Sequence, residues 1–289
     1  MLGYCGCSST VERRPVTAEV VGSSPISRAM KKKLASSRRK TLGQVNAIEE
    51  VQRAAEAALD EVILYLRSAT APTSEEAHVI IDAILFERGC ESPEGHIVAG
   101  GLQGVAPHAE GNGILKAGEP IVIDIYPRSK KSGYFADMTR TVCIGNPSAQ
   151  VQSMYDAVLK AQELAISMVK PGTACKDIQR AVEKFFIDAG FVTSGKGEDF
   201  TYAEGFVHGV GHGVGLKVHE KPRIKKGSKD FLQEGDVITI EPGLYYKKVG
   251  GVRVEDMVLV TKTGHRNLTA RGKKFILRKR RKGSAISTA

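Results

Sequence analysis

From Gln44 to Arg67, apolar residues recur at steps of three and four: Val45, Ile48, Val51, Ala55, Leu59, Val62, Ile63 and Leu66. That spacing places them along one face of an α-helix. A second helix is predicted over about Glu75–Arg88, with Ser74 as its N-cap, Gly89 just past its end, and Ile80, Ala83 and Ile84 on its apolar face. Strands follow near His96–Gly100 and at Pro120–Tyr126, and Gly133–Gly145 reads as the returning strand of a hairpin. The order then repeats. Helices over about Ala149–Val169 and Ala174–Ala189 are stopped by Lys170-Pro171-Gly172 and by Gly190. Strand material follows near Thr201–Val207, Asp236–Glu241 and Val252–Thr261. Helix, helix, strands thus occurs twice, which implies two similar halves whose sheets meet, with a site between them.

Charge sharpens this division. The total is +10, but residues 1–46 carry +7 and residues 271–289 carry +8, leaving the body at −5. Two basic tails around a mildly acidic body point to solvated segments; any nucleic-acid binding would be an accessory property of the tails. Residues 1–44 are expected to be a basic extension and 271–289 a basic tail. The run from Gly6 to Ala29 resembles a transfer-RNA gene translated as protein, so translation is expected to begin at Met30. No apolar run approaches the roughly 18 to 20 residues of a membrane helix, and no apolar core follows a basic start. A cytoplasmic protein is the expectation. The cysteines (Cys5, Cys7, Cys90, Cys143 and Cys175) are odd in number and form no disulfide framework; all five read as thiols.

The candidate chemistry centres on Phe206–Glu220, FVHGVGHGVGLKVHE, where His208, His212 and His219 lie among alternating glycines. Glycine is a poor filler of regular structure, so the run marks either a mobile loop or backbone that passes close to something. In the hairpin, Ile121, Ile123 and Ile125 face one way, and Asp124 faces the other with Val122 and Tyr126. On the returning strand Asp137 shares a face with Thr139 and Thr141, so two carboxylates can meet across one hairpin; a pair of surface aspartates would look the same. Glu241 closes the apolar strand VITI. In VRVEDMVLV, Arg253, Glu255, Met257 and Leu259 share a face, either around a site or as an edge-strand ion pair. Four carboxylates gathered in one cleft repel and raise one another's pKa values, and two divalent cations would cancel that charge. Oxygen-rich ligation with one imidazole suits Mn²⁺, Co²⁺, Fe²⁺ or Zn²⁺. Such a pair can acidify a bound water for attack on an amide.

The motifs DIYPRSKKSGYFADMTRT, HGVGHGVGLKVHE, TIEPGLYY and GVRVEDMVLV, in this order within residues 45–270, resemble the metallopeptidase family of methionine aminopeptidase, Xaa-Pro aminopeptidase and prolidase. The resemblance implies the α+β pita-bread fold: two pseudo-symmetric halves of helices packed on a curved, mostly antiparallel sheet. It implies that Asp124 chelates one metal, Asp137 and Glu255 bridge both, and His212 and Glu241 complete the ligand set of the second metal. Glu241 would also relay a proton, His219 would contact the scissile amide, and His108 would lie near the substrate. His208, the EPG beginning at Glu241, and Arg253 resemble the Xaa-Pro branch. The basic insertion PRSKKS lengthens the Asp124–Asp137 spacing. The N-terminal domain common in Xaa-Pro peptidases is expected to be absent, which leaves oligomeric state and substrate length open.

The expected activity is hydrolysis after an N-terminal residue, preferably Xaa-Pro, on peptides with a free N-terminus. Methionine aminopeptidase activity is one alternative, and a non-catalytic RNA- or ribosome-binding protein on the same fold is another. Creatinase-like chemistry without metal is disfavoured by retention of all five ligand positions. His78, expected in a helix, His96, in a strand, and His265, in a loop, are read as structural or exposed.

Overall fold

The computed structural model describes residues 38–193 and 204–279. These belong to the unit that runs from Ser37 onward. The expectations about translation from Met30 and about Cys5 and Cys7 lie outside the described residues.

The first half opens with α1, Leu42–Ser68, started by a capping box in which Thr41 and Gln44 satisfy each other's backbone N–H groups. Its apolar stripe, Val45 through Leu66, is buried as the spacing predicts, except that Ile63 is only partly buried. α2 spans Ser74–Glu87 and is capped by Thr73, one residue earlier than expected. Ser74 is instead buried and donates to the Val98 carbonyl at 2.7 Å. The inward face of α2 is Ala77, Ile81 and Leu85; Ala83 is exposed, and Ile80 and Ile84 are only partly buried. The strands are β1 (Cys90–Glu91), β2 (Ile97–Gly100), β3 (Pro120–Ile125), β4 (Arg128–Ser129) and β5 (Met138–Ile144). β3 and β5 form the predicted hairpin, with Asp124 opposite Thr139.

The second half repeats the plan with α3 (Ala149–Ser167) and α4 (Cys175–Asp188), then β6 (Gly211–Gly213), β7 (Glu220–Ile224), β8 (Val237–Ile240), β9 (Gly243–Tyr246), β10 (Gly250–Arg253), β11 (Asp256–Val260) and β12 (His265–Asn267). A last short strand, β13 (Ile276–Leu277), runs parallel beside β5 in the first half's sheet. The two larger sheets have the orders β13-β5-β3-β2 and β12-β11-β8-β6-β7; every pairing except β13–β5 is antiparallel. The fold is the α+β pita-bread fold, with two apolar cores, one beneath each helical pair.

Five further expectations change. Val252–Thr261 is not one strand. It breaks at Val254–Glu255, because Arg253 exchanges hydrogen bonds with the Thr141 hydroxyl and the Glu255 N–H bonds to Thr139 O at 3.0 Å. This seam joins the halves. Near Thr201–Val207, the described residues form isolated bridges rather than a strand. His265 lies in β12 rather than a loop. The boundary expected at residue 270 falls inside the packed body, since Phe275 stacks on Tyr155 at 4.1 Å and β13 completes a sheet. At the other end, residues of the expected extension also pack on the body: Arg38 pairs with Asp236 at 2.7 Å. None of the described helices is long and apolar enough to cross a membrane.

Candidate metal centre and active-site cleft

A cleft of about 530 Å³ opens between the halves, and its lining includes Asp124, Asp137, His212, Glu241 and Glu255 together with His108, His208, His219 and Arg253. The structure thus brings together every site residue singled out in the sequence.

Local backbone explains how. Asp124 projects from a fully buried strand whose isoleucines fill the core behind it. Asp137 immediately precedes β5, and Glu255 sits at the seam between β10 and β11. His212 occupies the short strand β6, where backbones are crowded: a Cβ on Gly211 would meet Thr239 O at 2.0 Å, and one on Gly213 would meet Lys221 O at 2.2 Å. The alternating glycines therefore serve close approach rather than mobility.

Donor atoms of Asp137, His212 and Glu255 lie within 4.8 Å of one another. His212 Nε2 is also 3.2 Å from Glu241 Oε1 and 3.6 Å from Asp137 Oδ2. The Thr139 hydroxyl donates to Glu255 Oε2 at 2.8 Å and accepts from Arg253 Nε at 3.2 Å. Arg253 further donates to Asp124 Oδ2 at 2.7 Å, the Tyr245 hydroxyl at 2.8 Å and the Pro107 carbonyl at 3.2 Å. His208 Nε2 lies 2.9 Å from the same Tyr245 hydroxyl, and its Nδ1 lies 2.8 Å from Gly209 O. Two buried carboxylate oxygens, Asp124 Oδ1 and Glu255 Oε1, have no hydrogen-bond partner. Asp256, next to Glu255, turns away from the cleft and binds Arg140 and Lys273.

The electrostatics follow from this crowding. Burial holds the Asp137 carboxyl well above its usual range, with Glu255, Asp124 and Glu241 adding to the effect. Burial does the same to Glu255, helped by Glu241 and Asp124, and it raises Asp124 against the opposing charge of Arg253. At Glu241 burial also pushes upward, but the hydrogen bond and charge of His212, with His208 and Arg253, outweigh it and hold the group at about 2. Burial lowers His208, and it lowers the more exposed His219 with help from His212 and Arg223. Crowded, buried carboxyls with unpartnered oxygens beside an imidazole are a donor set suited to hard or borderline divalent cations, whose charge would relieve the crowding. The residues present fit that role.

Sequence reasoning missed Tyr245 and Thr139, which tie the site together. The sequence signal for Thr139 is its place on the Asp137 face of the returning strand, and for Tyr245 its place in the GLYY run. It also missed Glu94, Glu110, Arg223 and Lys225, which line the cleft because of chain paths no local pattern reveals, whereas Tyr126 lines it from the Asp124 face that alternation predicts.

Fold and cleft together define a pita-bread protein with a carboxylate- and histidine-lined centre between its halves. The chain belongs to metallopeptidase family M24, whose pattern matches residues 46–262. It is 34% identical over 232 residues to the Xaa-Pro dipeptidase of Pyrococcus horikoshii, covering 79% of this chain and 62% of that protein. Its structure is similar to that of prolidase from Pyrococcus furiosus, with a TM-score of 0.73 and 31% identity over 86% of this chain and 68% of that one. It is also similar to X-Pro aminopeptidase from Thermotoga maritima, with a TM-score of 0.72 and 29% identity over 86% and 66% of the two chains. The chain spans about three fifths of the length of the curated Xaa-Pro dipeptidases it matches. The family uses divalent metals.

Proposed function

We propose that this chain is a dinuclear-metal-dependent exopeptidase that hydrolyses the bond after the N-terminal residue of a peptide, preferably where the second residue is proline. The observation that carries the reading is the convergence of Asp124, Asp137, His212, Glu241 and Glu255 from both halves on one cleft, with two of their buried oxygens unpartnered. These five would hold two ions of the Mn, Co, Fe or Zn type. When bound, such ions supply an acidified water and polarise the scissile carbonyl.

The chain's own groups do the rest. Glu241, held ionised by His212, is placed to take up a proton and pass it on. His219, with its ring 4.3 Å from that of His212, stands where it can hydrogen-bond the scissile amide. His108 stands on the cleft lining as a second substrate contact. Arg253 and Tyr245 hold Asp124 and His208 in one hydrogen-bonded chain, which fixes the ligand side of the cleft. An Xaa-Pro bond is a tertiary amide without an N–H, so the pocket need supply no acceptor there.

The likeness to Xaa-Pro dipeptidase and prolidase supports proline preference over methionine removal. The test is mass-spectrometric cleavage of peptides beginning Ala-Pro and Met-Ala by chelator-stripped protein with Mn²⁺ or Co²⁺ added. Release of alanine from the first alone is expected. Cleavage of Met-Ala alone would assign the methionine-removing activity, and no cleavage with any metal would overturn the enzymatic reading.

A further inference from the structure

Behind the cleft wall stands a second group of metal-binding side chain types. His78 and Asp82 are four residues apart on α2, so they project from one side of that helix. His96 immediately precedes β2; the next residue, Ile97, lines the cleft, whereas the His96 ring packs against α2. The rings of His78 and His96 have centroids 4.6 Å apart, and His96 Nδ1 lies 3.8 Å from Asp82 Oδ1. His96 is only 5% exposed, yet both of its ring nitrogens are buried without a hydrogen-bond partner. Buried polar atoms are ordinarily satisfied, so a buried imidazole with neither nitrogen engaged calls for a ligand.

The surrounding chemistry is consistent. His78 Nε2 lies 3.2 Å from the Glu110 carbonyl, which can only accept, so Nε2 carries the proton and Nδ1 keeps its lone pair. An imidazole N–H bonded to a backbone carbonyl, with the other nitrogen open, is the usual posture of a metal-ligating histidine. Burial pushes the His96 imidazole down to about 4, with His78 adding to the effect and Asp82 opposing it, so the ring is neutral at pH 7.

We propose that His78, Asp82 and His96 form a structural site for one zinc-like divalent transition ion, separate from the cleft centre. Two imidazoles and one carboxylate suit Zn²⁺, Co²⁺ or Ni²⁺ and disfavour the all-oxygen cations Ca²⁺ and Mg²⁺. The trio is looser than Asp137–His212–Glu255; the Asp82 side chain is 65% exposed, and holding the ion requires it to rotate onto the two rings. An ion there ties α2 to the chain entering β2. That link adds to the His78–Glu110 carbonyl hydrogen bond and braces the wall of the cleft.

The test uses the full chain with its cleft disabled by Asp137→Asn and Glu255→Gln, stripped with chelator and titrated with Zn²⁺ by equilibrium dialysis and thermal melting. One Zn²⁺ per chain is expected to remain tightly bound and to raise the melting temperature. Its X-ray absorption spectrum should show two imidazole ligands. Adding Asp82→Asn or His78→Gln, both at positions outside the core, is expected to weaken that binding by roughly tenfold or more, without changing the melting temperature of the zinc-free protein. Absence of zinc binding in the cleft-disabled protein would overturn the proposal, as would binding insensitive to both added substitutions.

Discussion

Arg140 is the buried fastener behind the cleft, and its removal is a test of how the halves are joined. From β5 its guanidinium donates to the Thr139, Glu255, Arg271 and Gly272 carbonyls and to Asp256 Oδ1 at 2.8 Å. Its side chain is 3% exposed and that of Asp256 is 1% exposed. Arg140→Met fills similar space but strands Asp256 Oδ1 and four carbonyl contacts. Breaking a buried ion pair from one side costs about 3–5 kcal/mol. Asp256 Oδ2 keeps Lys273 and Asn267, each at 2.8 Å, which places the loss at the lower end, about 3 kcal/mol. For a unit of this size that corresponds to a fall in Tm of roughly 6–12 °C. Arg140→Lys keeps the charge but loses the planar fork and should fall between. Equilibrium urea unfolding of chelator-stripped protein provides the measurement. A loss below about 1 kcal/mol for the Met variant would refute the view that Arg140 holds this seam.

Three further outcomes follow from the same geometry. Gly211→Ala places a Cβ 2.0 Å from Thr239 O and should cost roughly 3 kcal/mol or more in urea unfolding, whereas Gly264→Ala, with nothing within 4 Å, should be nearly silent. Truncation after Ala270 removes β13 and the Phe275–Tyr155 stack, and the shortened protein should lose about 3 kcal/mol or more in the same assay. Because His96 is neutral when folded and titrates near 6.5 when unfolded, zinc-free protein should lose stability as pH falls through 6.5 and level off below about 4. The His96 share is up to roughly 3 kcal/mol, read as the difference from His96→Gln between pH 7 and 4; equal pH slopes for the two proteins would contradict it.

The helices were legible because their periodicity is local: α1 buries the stripe its spacing implies. The five candidate ligand positions stand out in the sequence because acids at strand ends and a histidine among glycines contrast with apolar runs, and because the motifs match a family. Other features depended on distant chain. α2 carries apolar residues on adjacent faces, Ile80 and Ile84 beside Ile81 and Leu85, and only packing against α1 and β2 selects the second pair. Thr73 and Ser74 are both competent caps; Ser74 is taken by the Val98 carbonyl. The break at Val254–Glu255 is invisible in VRVEDMVLV, since bonds to Thr139 and Thr141 more than a hundred residues away impose it. The packed strand at Ile276–Leu277 was masked by the basic residues around it. The surroundings of His96 are not visible in its sequence neighbours, because its contacts with His78 and Asp82 come from α2.

The most direct test of the dinuclear centre is anomalous diffraction at the manganese edge from crystals of Mn²⁺-loaded protein. Two peaks in the cleft are expected, contacted between them by Asp124, Asp137, His212, Glu241 and Glu255. A single cleft peak, or none at saturating Mn²⁺, would contradict the account.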